Sequence, residues 1–328
     1  MKVIVDAMGG DNAPVEIIKG SIEALNETDI RLILVGKEEI ISKELEKYDY
    51  IKENVEILNA TDLITNDDDP VIAIRRKKDS SMVVALKALS DGKGDAFISA
   101  GNTGAILAGG LFIVKRVSGV ERAAITSVYP TLKGNALLVD AGANVDAKAE
   151  YLLQFGIMGS IYMEHVRGIE NPKVGLVNIG LEESKGNAVT KEAYNLFKDA
   201  DINFIGNIEG RDIPTGKAHV IVADGFVGNV VLKLTEGMAS SIFSLLKDAF
   251  MTNTKTKLSA ALIKPQLEEL KARTDYREYG SAPLLGVRKP VFKAHGSSDA
   301  YAFKNGIKQL INFHGKDITG IIEETFKI

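Results

Sequence analysis

The amino-acid sequence predicts an α/β fold, a three-layer α/β/α Rossmann-like sandwich in which a mostly parallel sheet lies between two layers of helices. Short runs of β-branched residues alternate along the chain with longer segments of helical periodicity, which is the pattern of strands joined by covering helices. No low-complexity linker interrupts the 328 residues. We therefore predict a single α/β domain spanning 1–328, with a division near Asp146 as the alternative.

Ten segments have the compact apolar character of buried strands. They are Lys2–Val5, Arg31–Val35, Val55–Leu58, Ala96–Ile98, Ala123–Val128, Ala136–Val139, Val174–Val177, Ile202–Ile205, Val220–Val222 and Val291–Lys293. Between and after them, apolar residues recur with the helical period. The predicted helices are Pro14–Leu25, Lys37–Lys47, Ser80–Ser90, Thr103–Phe112, Ala147–Val166, Ala188–Lys198, Ser298–Asn312 and Asp317–Phe326.

One segment, at about 226–273, departs from this alternation. Two helical stretches, Phe226–Phe250 and Leu258–Arg273, follow each other without an intervening strand, which predicts a projecting helical hairpin. The second arm carries an apolar edge that includes Leu258, Leu262 and Ile263. This edge predicts packing against a partner subunit or peripheral contact with a membrane, and the two are compatible.

Composition excludes several classes of function. Forty basic residues against 44 acidic ones give a formal net charge of −4, so no general cationic field would attract nucleic acid. The absence of cysteine excludes disulfides, thiolate zinc sites and an acyl-cysteine intermediate. No window approaches the roughly 20 apolar residues of a membrane-spanning helix, and the first residues do not resemble a signal peptide. We expect a cytoplasmic protein, with peripheral contact at the inner face of the cell membrane through the hairpin.

Loops that follow the predicted strands are rich in glycine, asparagine and aspartate, as in DAMGGDN at 6–12 and SAGNTG at 99–104. In an open α/β sheet, ligands bind beyond the carboxyl ends of the strands, where backbone N–H groups are unpaired. Each loop alone is typical of an ordinary turn, but six of them predict one polar rim that suits a phosphate-bearing ligand. The predicted phosphate-binding residues are Asp6, Gly9, Gly10, Asn12, Asn102, Thr103, Asn144, Asn178, Gly186 and Ser297.

Familiar cofactor motifs are missing. No loop after a strand reads G-x-G-x-x-G, and the segment 210–218 fails as a nucleotide P-loop because of its spacing and because Ala218 replaces the hydroxyl residue. The four histidines lack metal-ligand spacing, and no serine lies in a G-x-S-x-G elbow. The sequence therefore predicts no metal and no cofactor.

Four residues are candidate catalytic groups. Lys185 precedes a predicted helix, where a cation and helix N–H groups can share one phosphate, although an exposed turn lysine fits equally well. His295 ends a strand and can exchange a proton near a bound anion, with capping or packing as the alternative. Asp224 and Asn229 can orient a thioester carbonyl or the attacking phosphate, and Asp224 fits an N-cap as well.

The segment VDAMGGDNAP at 5–14 closely resembles the opening signature of the phosphate acyltransferase family. Further similarity, spread over nearly the whole chain, is found at 70–82, 99–104, 138–144, 182–186, 206–212, 223–233, 279–286 and 295–298. The resemblance implies a fold shared with phosphotransacetylases and isopropylmalate dehydrogenase-like enzymes. It also implies transfer of a fatty acyl group from acyl carrier protein to inorganic phosphate, without a cofactor.

The resemblance further implies an acyl phosphate product for glycerophospholipid synthesis, used downstream by glycerol-3-phosphate acyltransferase, and a homodimer with peripheral membrane association. Phosphate itself would attack the thioester, with His295 or Asp224 helping to protonate the leaving thiolate. The run Arg75-Arg76-Lys77-Lys78 is a candidate docking patch for acidic acyl carrier protein, and a solvated helix face is the alternative. A coenzyme A-dependent phosphotransacetylase and a non-catalytic scaffold of lipid synthesis remain open.

Overall fold

The structure, a computed structural model, describes residues 1–274 and 276–327. Its strands form one sheet with the order β3-β2-β1-β4-β11-β10-β5-β6-β9-β7-β8. The strands are β1 Lys2–Asp6, β2 Arg31–Gly36, β3 Val55–Asn59, β4 Ala96–Ser99, β5 Ala124–Thr131, β6 Gly134–Val139, β7 Val174–Val177, β8 Phe204–Ile208, β9 Val220–Val222, β10 Ser281–Leu285 and β11 Val291–Ala294.

Helices cover both faces of this sheet. They are α1 Val15–Glu27, α2 Glu38–Leu45, α3 Pro70–Arg76, α4 Ser81–Ser90, α5 Thr103–Gly109, α6 Ala149–His165, α7 Ala188–Asp199, α8 Gly225–Phe250, α9 Thr254–Leu262, α10 Lys264–Thr274, α11 Ala300–Gly315 and α12 Ile318–Thr325. A π-helical turn, Gly110–Val114, extends α5. Within the described residues, no helix is both long and apolar enough to cross a membrane.

The core consists of two apolar layers, one on each side of the sheet. Successive strand residues point to opposite faces, so Val5 packs in the layer beneath α1, α2, α6, α7, α11 and α12, whereas Ile4 packs in the layer beneath α3, α4, α5 and α8. The predicted α/β/α sandwich is confirmed.

Strand direction divides the sheet into two parallel blocks. β3, β2, β1, β4 and β11 run in one direction, and β6, β9, β7 and β8 form a second parallel block. Between them, β10 is antiparallel to β11 and to β5, and β5 is antiparallel to β6. The second block therefore runs opposite to the first. We call the carboxyl edge of the first block the upper edge and that of the second block the lower edge.

Two elements were missing from the sequence prediction, and the strand predicted at Ile202–Ile205 lies at Phe204–Ile208. β10 was not predicted because Ser281–Leu285 is short and contains Pro283, which lowers strand propensity. α3 was not predicted either, although Asp69 caps it by accepting a hydrogen bond from the Ile72 N–H and Pro70 occupies its first turn.

The predicted hairpin at 226–273 is present as α8, α9 and α10, with its second arm broken at Ile263. A capping box between Asn253 and Thr256 begins α9 directly after the turn. Within α8, the buried residues are Gly225 and Gly228, both in its first turn. The rest of this helix lies in contact with solvent.

Candidate active site

A polar cleft lies over the centre of the sheet, between the start of α5 and the flank of α8. It has a volume of about 230 Å³, which is enough for a small anion and a reacting carbonyl but less than a typical cavity for a drug-sized ligand. Its walls are Thr103, Ile125, Thr126, Ser127, Val128, Ala141, Asn229, Leu232, Lys233, Glu236, Tyr279, Gly280, Ser281, Ala282, Lys293, Ala294, His295 and Gly296. The cleft thus spans the junction of the two blocks, where β10 and β5 meet.

Lys293 is the most deeply placed cation of the cleft. Alternation along β11 places Val291 in the apolar layer beneath α5 and α8, and Lys293, two residues on, points to the same face. Its ammonium donates hydrogen bonds to the carbonyls of Ala100, at 3.3 Å, and Ala294. Burial lowers the pKa of Lys293 to about 8, with Lys233 adding to the decrease and Asp11 opposing it. A cation held in this way is poised to pair with an incoming anion.

His295 lies two residues after Lys293, at the upper edge of the sheet. Its Nδ1 accepts a hydrogen bond from the Ser297 N–H at 3.3 Å and lies 2.9 Å from Ser297 Oγ. Because a backbone N–H can only donate, Nδ1 carries no proton in this arrangement, and the proton of the neutral ring is on Nε2. Burial, and then the charge of Lys233, lower the pKa of His295. The ring is therefore a neutral hydrogen-bond donor near pH 7.

The opposite wall of the cleft comes from α8. Asn229, Lys233 and Glu236 recur with helical spacing and face the cleft together. Lys233 forms an exposed ion pair of 2.7 Å with Glu236 at the rim. Lys233, Lys293 and His295 line the same cleft, so all three side chains can act on one bound anion.

The first upper-edge loop supports the cleft without lining it. Asp6 is buried and accepts a hydrogen bond of 2.7 Å from Ser99 Oγ, and burial raises its pKa. A Cβ on Gly9 would lie 2.6 Å from Asp6 Oδ2, and Gly10 has a φ of +111°. Asn12 Nδ2 donates to the carbonyls of Ser297 and Ser298. Asp6 and Asn12 thus join the loop after β1 to those after β4 and β11.

The second upper-edge loop brings one predicted residue to the cleft. Asn102 caps α5 by accepting from the Ala105 N–H at 3.0 Å, and its Nδ2 donates to the carbonyl of Thr65. Thr103, the next residue, lines the cleft. Asn102 is thus a capping residue that positions Thr103.

Lys185, Gly186 and Asn178 lie at the lower edge, beyond the end of β7. Asn178 Nδ2 donates to the Lys185 carbonyl at 3.2 Å, and Gly186 has a φ of +96°. The prediction that all six loops meet on one rim is wrong, because the antiparallel strands in the middle of the sheet reverse the direction of the second block. Lys185 and His295 therefore lie at opposite edges.

Asp224 and Asn144 also belong to the lower edge. Asp224 Oδ1 caps α8 by accepting from the Val227 N–H at 2.7 Å, and the Asn144 side chain donates to the Ala123 carbonyl and to buried Asp140. With Asn178 and Gly186, Asp224 lines a second, largely apolar groove of about 810 Å³. Asn229, one turn further along α8, reaches the cleft instead.

The predicted docking run Arg75-Arg76-Lys77-Lys78 lies at the end of α3. Arg75, Arg76 and Lys78 are exposed. Lys77 is engaged within the molecule, since its ammonium donates to Asp68, at 2.8 Å, and to the Leu63 carbonyl. Three cations of the run are therefore available at the surface, and the docking role remains a prediction.

Sequence reasoning did not identify Lys233, Glu236 or Lys293. One signal for Lys293 was present, because a lysine inside the apolar run VFKAH at 291–295 places a charge on a buried strand. A second signal was the spacing of Asn229 and Lys233, which puts both side chains on one face of a helix.

Known structures share this fold. A phosphotransacetylase from Streptococcus pyogenes superimposes with a TM-score of 0.63 at 17% identity, over 94% of this chain and 93% of that one. A branched-chain phosphotransacylase from Enterococcus faecalis gives 0.58 at 13% identity, over 96% and 99%. Fold and cleft together define an α/β protein with a cationic site at the junction of two sheet blocks.

Sequence relatives identify the family. Residues 1–320 match the family described as "Fatty acid synthesis protein". The phosphate acyltransferase of Alkaliphilus oremlandii is 56% identical over 99% of this chain and 97% of its own length, and that of Clostridium botulinum strain Loch Maree is 52% identical over 98% and 97%. The chain belongs to the phosphate acyltransferase family and is an acyltransferase.

Proposed function

We propose that the cleft transfers a fatty acyl group from an acyl carrier protein thioester to inorganic phosphate, giving an acyl phosphate. The observation that carries this proposal is the convergence of Lys293, Lys233 and His295 on one cavity. Glu236 pairs with Lys233 in the structure, and an anion bound between the two lysines and His295 would compensate both positive charges. The names of the curated relatives and the phosphotransacetylase fold support phosphate as that anion.

Phosphate is mostly a dianion near neutral pH and is itself nucleophilic, so positioning it matters more than activating it. Lys293 would hold it from the sheet and Lys233 from α8, each opposing part of its charge. The Lys233–Glu236 pair at the rim would open as phosphate replaces the carboxylate. Held in this way, a phosphate oxygen can attack the thioester carbonyl with little loss of orientational freedom.

Attack converts the thioester carbonyl to an oxyanion, and expulsion of the thiolate then forms the acyl phosphate. We assign the His295 Nε2–H and the Asn229 amide as donors to that oxyanion, since both line the cleft. His295 acts here as a neutral donor, because protonation at Nδ1 would break its bond from the Ser297 N–H. Asp224 lies at the other edge of the sheet, so we assign protonation of the leaving sulfur to Lys293, which regains its proton from the hydrogen phosphate group of the new acyl phosphate.

Coenzyme A thioesters are the alternative donors, because the phosphotransacetylase fold favours them. The family description as a fatty acid synthesis protein favours acyl carrier protein, as does the set of exposed cations on α3. An acyl phosphate made from it would supply glycerophospholipid synthesis through a glycerol-3-phosphate acyltransferase. No step of this reaction needs a metal or an organic cofactor.

The proposal is tested by incubating the purified protein with palmitoyl-acyl carrier protein and phosphate and trapping the product with hydroxylamine. We expect phosphate-dependent acyl hydroxamate, formed faster from the carrier thioester than from palmitoyl-coenzyme A at equal concentration. Preference for coenzyme A would replace the proposed donor. Lack of hydroxamate with both donors would leave the scaffold alternative.

We also propose that α8 and the hairpin mediate association. Five exposed apolar side chains of α8 recur at intervals of four residues, at Phe226, Val230, Leu234, Met238 and Ile242. An unpartnered apolar stripe of this length suits burial against a second copy in a homodimer. At the far end, Leu258 and Leu262 are exposed by 65% and 74% and would enter the surface of the inner leaflet.

Leu262→Glu should reduce binding to phosphatidylglycerol-containing vesicles several-fold, because a charge replaces apolar surface at the tip. Vesicle flotation measures the effect. Leu132→Glu is the matched control, since Leu132 is 87% exposed in the β5–β6 turn, far from the hairpin in sequence. Equal flotation of the Leu262 variant and the parent would count against membrane contact.

A further inference from the structure

A compact basic cluster, formed by Lys115, Arg116, Arg288 and Lys289, lies where the β10–β11 turn meets the segment after the π-helical turn. All four side chains are exposed. The cluster is assembled from two segments that are about 170 residues apart in sequence. The sequence alone does not indicate this cluster, because each segment contributes only a pair of cations.

Backbone and side-chain hydrogen bonds fix the cluster. The Arg288 N–H donates to the Lys115 carbonyl at 3.0 Å, and Arg288 Nε donates to the Arg116 carbonyl at 3.0 Å. Arg116 pairs with Val287 in an isolated β-bridge, and its guanidinium donates to the carbonyls of Val120 and Glu121. The backbone of the cluster and both arginine side chains are therefore held in place by the fold.

The cluster is not neutralised internally. Over residues 1–274 and 276–327, no carboxylate forms an ion pair with any of the four side chains, whereas other lysines are paired, as in Lys304 with Glu23 and Glu27. Four adjacent uncompensated cations are unusual in a chain of net charge −4. Such a patch attracts a negatively charged partner and raises its association rate.

An apolar contact lies beside these charges. Phe112, three residues before Lys115, is 52% exposed, and the Arg75 guanidinium lies over its ring at 5.4 Å. Cations around an exposed aromatic side chain form a typical anchor for a protein partner, because the ring supplies contact area and the charges supply orientation. A small anion would not need the contact area that the ring supplies.

The cluster is within reach of the cleft. Ala282 lines the cleft on β10, and Val287, which pairs with Arg116, follows it by five residues. At about 3.3 Å per residue the separation along the strand is roughly 16 Å. The cluster lies at the end of β10 opposite to the cleft, and Leu284 and Leu285 between them are buried. An extended arm of a partner bound at the cluster would therefore reach Lys293 and His295 over the outer surface of the protein.

We infer that the basic cluster, together with Phe112 and Arg75, is the docking surface for an acidic acyl carrier protein. This inference rests on the proposed function, since it assumes a donor delivered by a protein. The proposed docking surface excludes Lys77, which pairs with Asp68, and includes Arg75 from the run predicted in the sequence. The carrier would bind through its acidic side chains and present the thioester on its arm to the cleft.

The test is the double variant Lys115→Glu/Lys289→Glu, whose side chains make no hydrogen bond within the described residues. Its KM for palmitoyl-acyl carrier protein should rise about tenfold with little change in kcat, because charge complementarity acts on encounter. The KM for palmitoyl-pantetheine, which lacks the protein, should not change. Added salt should raise the KM of the parent more than that of the variant.

Lys43→Glu/Lys52→Glu is the matched control, with the same change of charge on α2 and before β3. Equal KM increases in the two variants, or an increase for both donors, would overturn the inference. The alanine pair Lys115→Ala/Lys289→Ala provides a milder second variant. Should the parent not turn over either donor, the proposed function fails, and titration with holo-acyl carrier protein decides the docking question: unchanged affinity in the glutamate variant overturns it, and weakened affinity supports it.

Discussion

Lys293→Met should lower kcat/KM for phosphate by roughly a thousandfold, the size of effect seen when one preorganised donor to a reacting anion is removed. Methionine keeps most of the length and volume of the side chain but cannot oppose the charge of phosphate. The ammonium it replaces is held by two carbonyls deep in the cleft, so water cannot easily substitute for it. Initial rates of hydroxamate formation at varied phosphate concentration measure the loss.

Lys185→Ala is the control for this variant. Lys185 lies at the lower edge of the sheet, so its replacement should leave the phosphate dependence as in the parent. A loss with Lys185→Ala equal to that with Lys293→Met would contradict the assignment of the cleft and restore the original interpretation of Lys185.

The same lysine predicts a pH dependence. Its pKa is lowered to about 8 by burial, so the cation is present below pH 8 and is lost above it. We expect kcat/KM for phosphate to fall as the pH rises through about 8. In Lys293→Arg the charge persists to much higher pH, so this fall should disappear even if the absolute rate is reduced. An unchanged alkaline fall in the arginine variant would assign it to another group.

Gly228→Ala should lower the free energy of unfolding by roughly 3 kcal/mol, the upper end of the usual cost of overpacking. A Cβ at this position would collide with the carbonyl oxygen of Asp140. That backbone cannot readily move, because the buried Asp140 carboxylate accepts hydrogen bonds from the N–H groups of Ile125, Gly142, Ala143 and Asn144. Urea denaturation followed by circular dichroism measures the change.

Gly237→Ala tests whether the effect is steric. Gly237 lies in the same helix, and a Cβ there meets no atom within 4 Å, so alanine should stabilise the protein by up to about 1 kcal/mol through helix propensity. Destabilisation of both variants to the same extent would contradict the steric explanation. Asn229 follows Gly228 directly, so the first variant should also lose acyl transfer activity.

Most of the secondary structure followed from local pattern. Strands such as Val174–Val177 and Val220–Val222 were predicted with the bounds that the structure has, because a buried parallel strand is a continuous apolar run. The helix at 225–250 was predicted to within one residue. β10 was not predicted, because it is short and contains Pro283, which lowers strand propensity. Its stability comes from pairing with its neighbours β11 and β5.

The missed strand explains why the candidate site was only partly predicted. Without β10, a uniformly parallel sheet would place Lys185 and His295 on one edge. With it, the direction of the second block is reversed, and His295 shares its cleft with Lys293 on β11 and Lys233 on α8. Local sequence does not decide strand direction in this sheet, because a strand that is covered on both faces is apolar whether it pairs in parallel or antiparallel.

By itself, the sequence determined the α/β class, the family and the residue types needed to bind an anion, because periodicity and long motifs are properties of the chain. Only the tertiary structure decided which of those residues meet. Asn12, Asn102 and Asn144 form internal hydrogen bonds, whereas Lys233, Lys293 and His295 converge on the cleft. The physical reason is that a binding site depends on distances between side chains from different elements, and those distances are set by sheet order and strand direction.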